Sequence, residues 1–211
     1  MEVQAVKIGI QQEQTIGVQH HLKQNGTYLT ILLGASNVNS KLSSGVANAK
    51  WHLGGENSSN YQALTAEGIY TEERSTSAIY SGNPSSIYAQ VGLMYPSDYG
   101  YATVGGTTTN KSSCRAKELY NWDSSSYSDC KNNDWVYKSQ SISWGSNKSE
   151  WLISPDASRS DSASILVSNG WVYANYVYNG QFAVRPTFYL DSSILKIVGG
   201  TGTSDNAYRI G

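Results

Sequence analysis

"SILVSNGWVYANYVYNGQFAVRPTFYL", residues 164–190, holds two Asn-Gly pairs, each between β-prone runs. An Asn-Gly two-residue loop favours a type I′ turn, because both central residues need φ > 0. On that basis Asn169-Gly170 sets Ser168 opposite Trp171 and Leu166 opposite Tyr173. Likewise Asn179-Gly180 sets Tyr178 opposite Gln181 and Val177 opposite Phe182. One face of this meander then gathers Ile165, Val167, Val172, Ala174, Tyr176, Tyr178 and Ala183. The other gathers Leu166, Trp171, Tyr173, Asn175, Val177, Phe182 and Val184. Neither face is cleanly polar, so the meander is either buried on both sides or exposes aromatics meant to be touched.

Moving outward, "EWLISP" (150–155) alternates like a strand, and "LKIVGGTGTSDNAYRIG" (195–211) reads as strand, Gly-rich turn and closing strand. "QVGLMYPSDYGYATVGG" (90–106) predicts a strand over Val91–Tyr95 running into a Pro-Ser-Asp turn, with Asp98 as a turn or cap residue. Residues 107–150 are loop-rich, with a helical turn at "CRAKELYNW" and strand fragments at Trp135-Val136-Tyr137. Leu42, Val46 and Ala49 stand at helical spacing, ended by Trp51 and Gly54-Gly55. "AEGIYTEERSTSAIYSGNP" carries two aromatic-rich segments, around Tyr70 and Tyr80, divided by a charged turn. Near the N-terminus, "EVQAVKIGI" reads as strand or short helix, and "TYLTILLG" (27–34) as an apolar strand or buried helical turn. The pattern is an α+β, loop-rich domain with short antiparallel strands and few helices.

The composition narrows the function classes. The 15 Lys+Arg are balanced by 16 Asp+Glu, so no nucleic-acid footprint is expected. No stretch approaches 18 apolar residues, which argues against direct membrane insertion. Charged residues make up only 15%, and Ser, Thr, Asn, Gly and 16 Tyr take their place. That vocabulary is common in extracellular proteins and in paratopes. The two cysteines, Cys114 and Cys130, suit one disulfide closing a loop of about 15 residues; two buried free thiols are the alternative. No leader is evident at the N-terminus, so an exported form is expected to carry its leader or anchor outside this chain.

The motifs "KWHLGG", "YTEERS", "IYSGNPSS", "VGLMYPSDYGYATVGG", "LYNW", "CKNNDWVY", "EWLISP", "VRPTFYLDS" and "GGTGTSDNAYRI" stand in this order. Together they resemble a family of surface and pilin-like proteins of Gram-positive gut bacteria. The resemblance covers roughly residues 26–211, with 1–25 as a separate N-terminal segment. The C-terminal half resembles the formylglycine-generating-enzyme type of C-type lectin fold, used by variable proteins that retroelements diversify. In those proteins a block of adenine-rich codons is mutagenised, and the resulting side chains cover a ligand-binding face. Ser158, Ser160, Asp161, Ser162, Ser164, Tyr173, Asn175, Tyr176, Tyr178 and Asn179 fit the Asn, Tyr, Ser and Asp alphabet of such codons. Ordinary Tyr, Ser and Asn richness fits it equally. Trp171 and Gln181 fall outside the alphabet and read as scaffold, with Trp171 still counted into the face for its contact area.

Enzymatic members of that fold bind copper through a C-terminal cysteine pair. Here residues 131–211 contain no cysteine, so that chemistry does not carry over. A hydrolase triad lacks a partner for His20, His21 or His52, and His52 reads as part of a packed turn. Calcium ligands are offered by "NWDSSS" (121–126) and "KNNDW" (131–135), but such Asn/Asp clusters usually form turns. Glu72-Glu73 are adjacent, and neighbouring acids point apart. Arg185, before Pro186, is expected to brace the core in a buried, hydrogen-bonded pair.

The expectation is a non-enzymatic ligand-binding protein, located extracellularly or at the cell surface and needing no cofactor. Its partner would be a protein or glycan on another cell, host or phage. The competing expectation is a pilin-like or envelope subunit whose aromatic surface contacts pilus or envelope partners.

Overall fold

The computed structural model describes residues 45–122, 124–139, 149–178, 182–183, 185–191, 196–201, 206 and 209–210. His20, His21, the N-terminal strand expectations and the boundary at residues 25 and 26 lie outside them. So do Asn179, Gly180 and Gln181.

The architecture mixes a few short helices with short antiparallel strands in small sheets. Strand β1 (Ala49–His52) pairs with β2 (Ser86–Ala89), and β3 (Val91–Leu93) pairs with β7 (Pro186–Phe188). A three-stranded sheet has the order β4 (Glu150–Pro155), β5 (Ser162–Leu166), β6 (Val172–Tyr176). A ribbon of β8 (Ile197–Gly199) and β9 (Arg209–Ile210) forms the expected terminal pair.

Leu42 of the expected helix lies outside the described residues, and from residue 45 on the chain is not helical: Val46 bridges Leu190, Ala49 opens β1, and Trp51 lies opposite Ile87 in that strand. Tertiary pairing overrides the local spacing. Trp51 is 1% exposed, donates from Nε1 to the Ala89 carbonyl at 2.9 Å, and packs 5.0 Å from the Tyr189 ring. His52 therefore sits in a strand, not a turn.

The charged turn expected at Glu72-Glu73 is instead the end of helix α1 (Ala66–Glu73). Thr65 caps it, its hydroxyl accepting from the Gly68 N–H at 3.0 Å. Its buried residues Ala66, Ile69 and Glu73 recur at helical spacing. Helix α2 (Pro96–Tyr101) replaces the Pro-Ser-Asp turn. Pro96 stands at its first position, and Asp98 acts as a cap residue, accepting from the Tyr95 N–H at 3.1 Å.

Short helices α3 (Lys111–Arg115) and α4 (Ser128–Asn132) bring Cys114 and Cys130 together in the disulfide, both 0% exposed. Between them lie 3-10 turns at Leu119–Asn121 and Ser125–Tyr127. Trp135-Val136-Tyr137 is helical, not a strand fragment: α5 (Trp135–Ser139) starts where Asp134 Oδ1 accepts from the Val136 and Tyr137 N–H groups at 2.8 and 3.0 Å. A good cap outweighs the β preference of Trp, Val and Tyr. The core gathers Met94, Tyr99, Leu119, Trp122, Val136, Leu152, Leu166 and Val172 around the disulfide. Opening that disulfide, as in a Cys114→Ala/Cys130→Ala variant, is expected to lower stability by about 3 kcal/mol in urea denaturation. An unchanged midpoint would show that the loop is held by packing alone.

Candidate functional site

The hairpin that opens the meander forms, but one residue out of the expected register. Leu166 pairs with Val172, Ile165 with Tyr173, and Ser162 with Tyr176. The loop has three residues, not two: Val167 N–H donates to the Trp171 carbonyl at 2.9 Å, and Gly170 N–H donates to the Val167 carbonyl at 2.8 Å. Gly170 takes φ 101° there, which suits a glycine at the last position of a three-residue hairpin loop. Each loop carbonyl is claimed from outside. Tyr99 hydroxyl donates to that of Gly170 at 2.7 Å, Lys131 Nζ to that of Asn169 at 3.0 Å, and Tyr137 hydroxyl to that of Ser168 at 3.4 Å.

A one-residue shift exchanges the faces of one strand relative to its partner. Ser162, Ser164 and Leu166 now share a face with Val172, Ala174 and Tyr176, while Ile165 shares the other with Tyr173 and Asn175. The second expected hairpin pairing is also replaced among the described residues. Ala183 makes a parallel bridge to Glu150 of β4, the strand at the opposite edge of the sheet from β6, and β7 pairs with β3.

The expected binding residues separate accordingly. Ser162 is 7% exposed and Ser164 is 0% exposed, so both belong to the interior rather than to a binding face. Trp171 and Tyr173 are half-buried in a run of rings: Tyr61–Tyr120, Tyr120–Trp171 and Trp171–Tyr173 centroids lie 5.1, 4.8 and 5.1 Å apart. These rings meet edge-on or tilted. Asn175 is half-buried, and its Oδ1 accepts from the Tyr176 N–H at 2.8 Å.

The exposed group forms at the other end of the hairpin. Tyr176 and Tyr178 stack with centroids 5.1 Å apart and planes at 23°, and Tyr178 is 61% exposed. The Arg159 guanidinium lies 4.4 Å over the Tyr176 ring and pairs through Nε with Asp161 Oδ1 at 3.3 Å. Val177 N–H donates to the Asp161 carbonyl at 2.9 Å, tying the strand end to the 156–161 loop. Ser158 and Ser160 are exposed on that loop. Arg159 was not among the expected residues; its place inside the hydroxyl-rich "ASRSDS" run is the signal for it.

The loop is fastened from beneath. Asp156 Oδ1 accepts from Ser158 N–H and hydroxyl, both at 2.7 Å, and Ser158 Oγ accepts from the Ser58 N–H at 3.1 Å. Ala157 N–H donates to the Glu56 carbonyl at 2.7 Å. Gly55 makes this approach possible, since a Cβ there would stand 2.0 Å from the Pro155 carbonyl oxygen.

Among the described residues three glutamates are buried, and they differ. Glu150 pairs with Arg185 at 2.7 Å, the bracing role expected of that arginine. Glu73 accepts from Ser97 N–H at 2.8 Å, from Ser97 hydroxyl, and from Arg74 at 2.8 Å. Burial pushes its carboxyl up, while the Ser97 donors and Arg74 draw it back. Three donors suit a carboxylate, so we read Glu73 as ionised despite its burial. Glu56 is 2% exposed and has one side-chain donor among the described residues, Ser164 hydroxyl at 3.3 Å; burial and the neighbouring Asp156 push it up to about 8.

Among the described residues no group of three or more His, Cys, Asp or Glu is placed to hold a metal ion. In the segments considered for calcium, Asp134 caps α5, while Asp123 lies outside the described residues. No described helix is long and apolar enough to cross a membrane. Compared with protein-family models, curated proteins and solved structures, the chain finds no match.

Proposed function

We propose that this chain is a non-enzymatic ligand-binding module, exported and displayed at the cell surface, with a C-type-lectin-like fold. The observation that carries this reading is the Tyr176–Tyr178 stack, with Tyr178 61% exposed and Arg159 over Tyr176. Stacked tyrosines held at a strand end offer large contact area at low entropic cost. Arg159, Asp161, Ser158 and Ser160 surround them with adaptable hydrogen-bonding groups. Disulfides persist in oxidising compartments, so the Cys114–Cys130 bridge favours export.

The proposed ligand is a protein or a glycan on another cell, host or phage. If retroelement mutagenesis diversifies the face, the exposed positions Ser160 and Tyr178 are where variation is tolerated, whereas Ser158 is tied by its hydroxyl to Asp156 and Ser58. At Ser162 and Ser164, Tyr or Asp would enter the interior. The test is a glycan array and a library of extracellular proteins probed with wild type, Tyr178→Ala and Arg159→Ala. Each variant is expected to weaken the ligand found by about tenfold or more, with melting temperature nearly unchanged. Variants that bind as wild type would move the site away from this face.

A second reading, a pilin-like or envelope subunit, is favoured by Ile197 and Val198, which are 61% and 55% exposed on β8. Self-association at micromolar concentration in sedimentation, abolished by Ile197→Ser/Val198→Ser, is its expected sign.

A further inference from the structure

Both cysteines of the disulfide are 0% exposed, yet one side of the bond faces a threonine rather than the apolar core. The Thr109 hydroxyl lies 3.5 Å from Cys114 Sγ and 3.7 Å from Cys130 Sγ. Thr109 is half-buried, in a turn (residues 105–110) whose Gly106, Thr107 and Thr108 are exposed. On that side the cover over the sulfurs is one residue thick.

The turn closes on itself, since Gly105 bridges Asn110 and Gly106 N–H donates to the Thr109 carbonyl at 2.7 Å. Its fastening to the rest of the chain is a single carboxylate on α4. Asp129 Oδ2 accepts from Thr108 N–H and hydroxyl, both at 2.9 Å, from Thr109 N–H at 3.0 Å and from Thr109 hydroxyl at 3.1 Å. Among the described residues, every hydrogen bond that residues 106–109 make outside the turn ends on Asp129 or on a sulfur. Asn133 Nδ2 steadies the acid, donating to Asp129 Oδ1 at 3.3 Å and to its carbonyl at 2.8 Å. Gly106 lies flat against the same carboxylate: a Cβ there would stand 1.8 Å from Oδ1.

We propose that turn 105–110 is a lid over the Cys114–Cys130 disulfide, latched by the Asp129 carboxylate, and that unlatching it lets a thiol reach the bond while the rest of the domain stays folded. Hydrogen bonds to an ionised acceptor are the strong ones, and all four here share one acceptor, so its loss frees the whole turn at once. The reaction the lid gates is thiol–disulfide exchange. A dithiol's thiolate attacks one sulfur, the S–S bond breaks, and the reagent's second thiol resolves the mixed disulfide. Cys114 and Cys130 end as thiols, carrying the two protons and two electrons that the reagent gives up as it closes into its own disulfide. Access of the thiolate to the bond limits that rate.

Reduction of the native protein by dithiothreitol, read by alkylation and mass spectrometry at several urea concentrations below the unfolding transition, tests the lid. In wild type the rate is expected to be slow and independent of urea, because a local opening exposes little surface. Asp129→Ala removes the latch and Gly106→Ala pushes the turn off it. Each is expected to speed reduction by about tenfold or more, still without dependence on urea. Should both fail to fold, Thr109→Ala keeps the Thr108 bonds and its own N–H on Asp129 but bares the sulfurs, and is expected to speed reduction severalfold. A wild-type rate that climbs with urea along the slope of global unfolding overturns the lid, since the thiol would then be waiting for the whole domain. Unaltered rates in the folded variants overturn it as well.

Discussion

Arg185→Ala is expected to cost about 3–5 kcal/mol of stability, because it removes the cation that stands against the nearly buried Glu150 carboxylate. Arg185 Nη2 stands 2.7 Å from Glu150 Oε2, and the two side chains are 16% and 2% exposed. Glu150 opens β4, opposite Leu166 in β5, and its backbone bridges Ala183 on the other side. The pair therefore sits where the returning chain meets the sheet. Urea denaturation with an unchanged slope measures the loss. A second variant separates the pair's worth from the penalty of removing one partner of a buried charge pair. Replacing both partners, as Glu150→Leu/Arg185→Met, should recover much of the loss, since an apolar pair leaves no buried charge. A loss below about 1 kcal/mol in Arg185→Ala would show that Glu150 is rehydrated or held by other donors.

Trp122→Ala should be comparably damaging, at about 3–5 kcal/mol, through the cavity it leaves. Trp122 is 0% exposed and packs 5.0 Å from the Tyr99 ring, in the cluster that contains both cysteines of the disulfide. Tyr99 in turn donates to the Gly170 carbonyl. The indole thus supports α2, the disulfide loop and the hairpin tip together. Its Nε1 is buried without a hydrogen-bond partner among the described residues. Trp122→Phe therefore forfeits volume but no hydrogen bond, and is expected to cost about 1–2 kcal/mol. If Trp122→Phe proved as costly as Trp122→Ala, ring size rather than filled volume would be the requirement.

Much of the framework was legible in the sequence, for local reasons. "EWLISP" alternates because β4 buries Glu150, Leu152 and Ser154 on one side, and a period of two survives in any context that buries one face. Asp98 three residues after Tyr95, with Pro96 between, is a cap signature that needs no distant partner. Two cysteines permit one pairing. Arg185 was legible as a brace, though its acid, Glu150, was not named from the sequence.

The missed elements share a different origin. In α1 the buried residue at the end of the stripe is Glu73, a charged residue that a hydrophobic-periodicity reading discards. In α5 the β-prone Trp135, Val136 and Tyr137 are helical because Asp134 satisfies the first N–H groups. In β1 helical spacing loses to pairing with a strand more than thirty residues away, which no local window sees.

The sequence by itself determined the class of domain, the one pair of cysteines that a disulfide could join and the wealth of Tyr, Ser and Asn around one hairpin. Which of those side chains reach solvent was decided only in the tertiary structure. Tyr99, Lys131 and Tyr137 each claim a carbonyl of the hairpin loop, and the loop takes three residues where Asn-Gly alone predicts two. Because side chains alternate along a strand, that single residue buries Ser162 and Ser164 on the face they share with Tyr176 and turns Tyr173 to the other, while Tyr178 stays exposed beyond the strand end.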